Sequence, residues 1–505
     1  DKDMNLKEIA EELGVANILE GSIQRTGSKI RIVAQLIEAE TDKHLWAETY
    51  DEDFDDIFSI QTSIAQEIAG SLKSQISESE KLNIEDKLTD NIEAYEMYLK
   101  AQELRREELY TSGEIREELL GKIIDIDPQF AEAHALLSLA KSEAVHYGFS
   151  ENAEQSKMKA KLMIDKAFEL KPQSPEVRFA YGYYYYGCHK DFLQALKHYE
   201  YALKQEPGNA EYNAYIGFAY RRIGDGDKTI KFLEKALELN PNVAHLYYEI
   251  VGTYLFFRKY EKIDLIKHYK RLYKLIPDQG SLYQRSAYQA FYLDGNTKNA
   301  RKIIEKGKEL VSNFSFTTFG MDIYDKKYEE YLDLASDEEG IDYLGHFIMP
   351  SDVYRAYAYW LLEDNVNMVN FAKKALNTMQ SLEGYEEDPR YHSMLGMIYA
   401  MLGENDIAIK EAKMAIPLSS KDHYKVSLFE SQLAEVYVVM GENDKALDII
   451  ENLLSKPSRS SWGRIKYHHV FDKIFRNNPR FKRIIKEDED RFRKKATYDT
   501  NIYLK

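Results

Sequence analysis

The fold class this sequence predicts is mainly α: a superhelix of stacked helix hairpins, preceded by a small α/β domain. Three observations carry it. Ala195, Ala202 and Pro207 lie 34 residues ahead of Thr229, Ala236 and Pro241. Gly396, Tyr399, Gly403, Ala408 and Ala412 return as Ala434, Tyr437, Gly441, Ala446 and Ile450 at an offset of 38. Residues 1–85, by contrast, include stretches between Asn17 and Tyr50 that suit strands.

In the first region, Leu6 to Leu13 has helical spacing and stops at Gly14. Asn17–Arg25, Lys29–Ala39 and His44–Tyr50 suit strands, with Thr26-Gly27-Ser28 as a hairpin turn and Thr41-Asp42-Lys43 as a weaker one. Ile60, Ile64, Ile68, Leu72 and Ile76 then recur every four residues, which places them on one face of a helix over about 57–76. Trp46 is expected to pack on the sheet while its neighbours reach solvent, because strand side chains alternate faces.

From 91 to 455 helix pairs repeat. Gly182, Gly217, Gly396, Ala195 and Ala408 let paired helices approach closely, and Tyr185 and Tyr220 fill the space beside them. Gly224, Gly403 and Gly441 supply turns, while Pro128, Pro172, Pro207, Pro241 and Pro277 end second helices. Asp225 and Asp227 sit at such a turn without the other ligands of a calcium loop. Residues 313–350 lack the code and predict an irregular interruption; 456–505 read as a C-terminal helical cap. The run Glu487 to Arg493 reads as a solvated helix face.

The period and its small-large code resemble the tetratricopeptide (TPR) repeat. A more specific likeness lies at 9–61, in Ile9-Ala10-Glu11-Glu12-Leu13-Gly14, Asn17-Ile18-Leu19-Glu20-Gly21-Ser22, His44-Leu45-Trp46-Ala47-Glu48-Thr49-Tyr50-Asp51 and Asp56-Ile57-Phe58-Ser59-Ile60-Gln61. These resemble bacterial signalling proteins in which a TolB-like α/β domain precedes TPR repeats. Asn91-Ile92-Glu93-Ala94-Tyr95 and the closing Asn478-Pro479-Arg480-Phe481 extend the likeness, with Asn in place of the family's Asp. The resemblance implies an output module upstream of Asp1: a class III adenylate/guanylate cyclase, a serine/threonine kinase or a CadC-like winged-helix regulator. It also implies a missing strand and helix, and so one unpaired sheet edge.

Composition narrows the function classes. Lys plus Arg number 68 against 85 Asp plus Glu, a net charge of −17, which opposes direct nucleic-acid binding by this segment. Cys188 is the only cysteine, so no intramolecular disulfide or thiolate metal set exists. No apolar run reaches a membrane span, which leaves cytoplasm and periplasm both open, with an upstream span as the tether to the inner membrane in either case. No phosphate loop, HExxH, nucleophile elbow or dinucleotide fingerprint occurs. The expectation is a non-enzyme with no catalytic, cofactor-binding or metal-binding residues. His468-His469 lacks spaced acidic or thiol partners and reads as part of the cap.

In TPR proteins of this register, first-helix positions 2, 5, 9 and 12 line the concave groove. Carried onto this chain they give Glu176, Phe179, Tyr183 and Tyr186, then Glu211, Ala214, Phe218 and Arg221, then Leu246, Glu249, Thr253 and Phe256, of which Phe179, Tyr183, Tyr186, Phe218, Arg221, Thr253 and Phe256 are the candidate binding side chains. Tyr185 is expected to point into the repeat core. The stripe would suit capture of a protein or peptide ligand. The predicted function is a sensory or scaffold arm of a bacterial signalling protein, TPR-mediated and coupled to an N-terminal output domain. Its alternatives are a purely structural, homo-oligomerising module or part of a transcriptional regulator with a winged-helix domain.

Overall fold

A computed structural model describes residues 6–7, 10, 15–27, 29–53, 57–72, 87–107, 113–148, 150, 152–295, 297–311, 319–329, 332, 340–342 and 348–499. The chain forms two compact units. One is Asp1–Tyr212 with Leu239–Asn242; the other is Asn213–Glu238 with Val243–Lys505.

The first unit opens on an antiparallel sheet in the order β1 (Asn17–Thr26), β2 (Lys29–Glu38), β3 (Lys43–Asp53). Alternation on β2 decides its faces: Ile30, Ile32, Ala34 and Leu36 are buried, while Arg31 turns outward to Asp51. Helix α1 (Ile57–Ser71) lays Ile60 and Ile64 on Ile30 and Ile32. Trp46 is half-buried and its Nε1 donates to Glu67 of α1 at 2.7 Å, while His44, Glu48 and Asp51 are exposed. The first strand is an edge, with Leu19 and Ile23 exposed. The helix expected at Leu6–Leu13, most of the 9–14 motif and the 73–76 end of α1 lie outside the described residues.

Three helix hairpins complete this unit: α2 (Ile92–Glu107) with α3 (Gly113–Ile126), α4 (Ala131–Tyr147) with α5 (Ala153–Leu170), and α6 (Pro175–Tyr184) with α7 (Phe192–Gln205). Ser174 caps α6 by accepting from the Val177 N–H, and Pro175 sits in the first turn where it forfeits no hydrogen bond. A Cβ at Gly182 would stand 2.6 Å from the Tyr199 ring of α7, so the close approach requires glycine. After Tyr184 the helix widens into a π turn, Tyr185–His189. Tyr183, Tyr184 and Tyr186 are buried, whereas Tyr185, expected in the core, is half-buried and stacks on Tyr181 and His198 with ring centroids 5.4 and 5.7 Å apart.

Helix α8 (Ala210–Ile223) contains the boundary between the units. The second unit continues with α9 (Gly226–Leu239), then α10 (Ala244–Phe256) with α11 (Leu265–Leu275), and α12 (Gly280–Asp294) with α13 (Thr297–Leu310). Of the expected interruption, the described residues show α14 (Phe319–Tyr324) and a two-stranded pair, β4 (Ile341–Asp342) with β5 (Met349–Pro350). Hairpins resume as α15 (Ser351–Leu361) with α16 (Asn365–Gln380), α17 (Pro389–Met401) with α18 (Asn405–Leu418), and α19 (His423–Val439) with α20 (Asn443–Ser455). Gly217 meets Leu233 and Gly396 meets Ala412, each closer than a Cβ allows. Gly224, Gly403 and Gly441 adopt φ of +91°, +79° and +81°, the left-handed turn that glycine enters without strain.

Three terminal helices, α21 (Trp462–Lys466), α22 (His469–Phe475) and α23 (Pro479–Lys495), return onto the first hairpins of the same unit. Asp488 is fully buried and accepts from Arg258 Nη1 at 2.7 Å, the Tyr260 hydroxyl at 2.8 Å and the Trp462 backbone N–H at 3.2 Å. Thr497 exchanges backbone hydrogen bonds with Ile263 and Leu265. The Glu487–Arg493 run is therefore not a wholly solvated face. Asp488 enters the core because Arg258 waits there, a partner 230 residues away. No helix among the described residues is long and apolar enough to cross a membrane.

Candidate functional site

The predicted groove side chains divide between the units, and each group has its own surroundings. In the first unit, Phe179 is 4% exposed, stacked on Tyr212 at 5.1 Å and tilted against Tyr199 at 5.4 Å. Tyr183 and Tyr186 lie 5.9 Å apart and pack around His146 of α4. Beside Phe179 runs a charged chain. Arg116 donates to Glu143 at 2.6 Å, Arg105 reaches the other Glu143 oxygen at 3.2 Å, and Arg105 also donates to Glu211 at 2.6 Å. Arg116 and Glu143 are both buried, and their pairing offsets part of the cost of taking two charges out of water. Glu132 and Glu206 border the same region, and burial holds both carboxyls above the usual range.

In the second unit Phe218, Arg221, Thr253 and Phe256 do come together, around a residue that sequence reasoning missed. Tyr424, near the start of α19, packs on Phe256 with ring centroids 4.8 Å apart. The Arg221 guanidinium stands 4.3 Å from the Tyr424 ring centroid and 5.1 Å from that of Phe218. It also donates to Glu249 at 2.7 Å and to the Thr253 hydroxyl at 3.3 Å. Arg222 and Arg459 approach the same tyrosine ring at 5.3 and 5.0 Å. Gly252 lies beside the tyrosine, where a Cβ would make ordinary contact with the hydroxyl at 3.8 Å. One arginine over one aromatic face is common; three around one ring concentrate positive charge.

Six of the seven candidate binding residues are thus buried interior, and Phe218 alone is half-buried. Two causes act. Tyr183 and Tyr186 pack around His146 of α4, and Tyr424 of α19 packs on Arg221 and Phe256. No local signal in His423-Tyr424-Lys425 announces that pairing, because its partners lie some 200 residues away.

The other sequence candidates are structural. Asp225 accepts from the Lys228 backbone N–H and caps α9, as a repeat turn should. His468 and His469 stack at 4.6 Å, and burial depresses both imidazoles, His469 to about 4. The neighbouring Glu435 carboxyl, 3.6 Å from His468 Nε2, is pushed up to about 8 by burial.

Among proteins of known name, a stretch of 139 residues is 35% identical to "Putative adenylate cyclase 3" of Rhizobium meliloti (strain 1021), covering 27% of this chain. The chain spans about a quarter of that relative's length, 24%. No family model matches. Similar solved structures include the Cut9–Hcn1 hetero-tetramer of the APC/C, with TM-score 0.39 and 15% identity over 71% of this chain and 59% of that one. Another is YrrB, described as a TPR protein with an unusual peptide-binding site, with TM-score 0.27 and 15% identity over 38% and 91%. A third is PilF of Pseudomonas aeruginosa, with TM-score 0.30 and 17% identity over 49% and 98%.

Proposed function

We propose that this chain is a non-catalytic, protein- or peptide-binding arm of a bacterial signalling protein, built on TPR-like hairpins and coupled to an N-terminal output domain such as an adenylate cyclase. The observation that carries the reading is the 139-residue likeness to a protein named as an adenylate cyclase. Repeated hairpins on the same chain present extended faces, the usual use of such stacks.

On this reading the buried aromatic residues set the spacing of first helices, and a partner meets the accessible rim. In the first unit that rim is acidic: Glu176 is half-buried and the Glu211 side chain is 42% exposed. A basic partner segment suits it.

The test has two arms. Purified chain incubated with ATP or GTP and Mg²⁺ or Mn²⁺ should form no cyclic nucleotide. Photocrosslinkers placed beside Glu176 and Glu211 should trap a defined protein from the source bacterium, and Glu176→Lys plus Glu211→Lys should reduce its yield at least tenfold, whereas Glu118→Lys on α3 should not. Turnover by the chain, or equal trapping by both variants, would remove the proposal.

A further inference from the structure

The first unit gathers more carboxylates in one place than its own cations neutralise. Glu132, Glu176 and Glu211 are each the second residue of their helices, α4, α6 and α8, and Glu206 follows the end of α7. Arg105 donates to Glu211 at 2.6 Å and shares Glu143 with Arg116. Lys171 Nζ stands 3.6 Å from Glu132 Oε1. Glu176 and Glu206 have no cationic partner among the described residues. Glu176 accepts from the Ser174 hydroxyl at 3.0 Å, and Glu206 from Asn209 Nδ2 at 2.9 Å.

A further observation points into the same place. Glu132 is 1% exposed, and its Oε2 oxygen accepts no hydrogen bond, which is costly for a carboxylate held away from water. Burial first, opposed by Lys171, raises the Glu132 carboxyl, and Glu176 adds to it. Burial also raises that of Glu206, opposed by Asn209 and Tyr212, and again Glu176 adds. Two rings lie among these groups, Tyr98 and Tyr212, each 3% exposed. Their hydroxyls are raised by burial first and then by Glu176, with Glu132 acting on Tyr98 and Glu206 on Tyr212. Glu176 thus sits at the centre, facing Glu132, Glu206 and both rings. Among the described residues no group is placed to hold a metal ion. Carboxylates beside aromatic rings suit a longer organic cation, whose stem packs on the rings while its head meets the oxygens.

Resting on the partner-binding function above, we propose that Glu132, Glu176 and Glu206 form a socket for a lysine or arginine side chain presented by the partner protein. Entry is past Glu176 and Glu206, which are half-buried, and Glu132 lies deepest. The incoming cation supplies the countercharge that Glu176 and Glu206 lack and a donor for Glu132 Oε2. Charge-assisted hydrogen bonds of this kind are about twice as strong as neutral ones. A chain of net charge −17 attracts many cations at long range; the socket differs in holding one side chain at close range.

The experiment is isothermal titration and thermal unfolding of the whole chain at pH 7.5 and matched ionic strength. The probes are an acetyl-Gly-Lys-Gly-Lys-Gly-amide peptide, the same peptide with both lysines Nε-acetylated, and Mg²⁺. A ligand bound only by the folded state raises Tm with concentration. The dilysyl peptide should raise Tm and bind at least tenfold more tightly than its acetylated form. Glu206→Gln should lose at least tenfold in affinity for it, while its Tm without peptide equals or exceeds wild type, because repulsion with Glu176 is relieved. Glu176→Gln should behave alike and serves if Glu206→Gln does not fold; Glu118→Gln on α3 should bind as wild type does. Equal affinity for both peptides, unchanged affinity in both socket variants, or displacement of the peptide by an equal concentration of Mg²⁺ would overturn the socket. Peptide binding with no protein trapped at Glu176 and Glu211 would remove the signalling-arm function alone. A trapped protein whose yield Glu206→Gln leaves unchanged would remove the socket alone.

Discussion

Arg222 on α8 and Asp422 at the N-cap of α19 form an ion pair 3.1 Å long across 200 residues of sequence, with side chains 9% and 8% exposed. It fastens the first hairpin of the second unit to its last. Removing one member leaves the other charged and dry. Asp422→Asn is therefore expected to destabilise this unit by about 3–5 kcal/mol, whereas a paired Arg222→Met and Asp422→Leu change should recover most of the loss. Urea unfolding followed by tryptophan fluorescence measures both; equal losses in the single and paired variants would contradict the ion-pair account.

Helix spacing gives a second test. A Cβ at Gly396 would fall 2.7 Å from the Ala412 Cβ and 2.8 Å from its backbone nitrogen. Since backbone cannot step aside cheaply, Gly396→Ala should cost about 1–3 kcal/mol. Gly121, inside α3 with open space around its missing Cβ, should respond oppositely: Gly121→Ala gains about 0.5–1 kcal/mol from helix propensity. Differential scanning calorimetry of the two variants should move in opposite directions.

The Glu435–His468–His469 group predicts a signed pH dependence. Glu435 keeps its proton to about pH 8 when folded, against 4.5 for an exposed carboxyl, so stability falls as pH rises through that interval. His469 stays neutral down to about pH 4 when folded, against 6.5, so its contribution falls as pH drops through that range. The two oppose each other between about 4.5 and 6.5, which leaves a net alkaline loss governed by Glu435. Its slope is at most about 1.4 kcal/mol per pH unit. Glu435→Gln should flatten the decline between pH 6.5 and 8 in urea titrations; an unchanged slope would show that another group governs it.

Cys188 is 7% exposed, and burial raises its thiol above the ordinary value. Folded protein should react with an aromatic disulfide reagent at least a hundredfold more slowly than protein in 6 M guanidinium. Fast native labelling would show that the π turn at Tyr185–His189 opens readily.

The hairpins were legible because their determinants are local. Gly217 and Leu233, or Gly396 and Ala412, lie within one repeat, and glycine there has a single physical reason. The strands of residues 17–53 were legible for the same reason, since alternation along β2 fixes which face is buried. Closure of the second unit was not. Asp488 sits in a run that looks solvated, and only Arg258 and Tyr260, more than 220 residues earlier, draw it inward. The candidate site was half visible: the repeat register named Phe218, Arg221, Thr253 and Phe256, but not Tyr424, Arg222 or Arg459. The π turn at Tyr185–His189 leaves no mark on helical periodicity.

Tethering Asp488 to Arg258 also sets a schedule for biosynthesis. A ribosome adding roughly 5–20 residues per second delivers the carboxylate on the order of 10–50 s after the guanidinium. Until then a cation meant for a dry interior faces water or a chaperone, and the early hairpins cannot mature one by one. Nascent chains halted before Pro479 should accordingly remain protease-sensitive throughout this half of the molecule, unlike an ordinary repeat array that consolidates as it emerges.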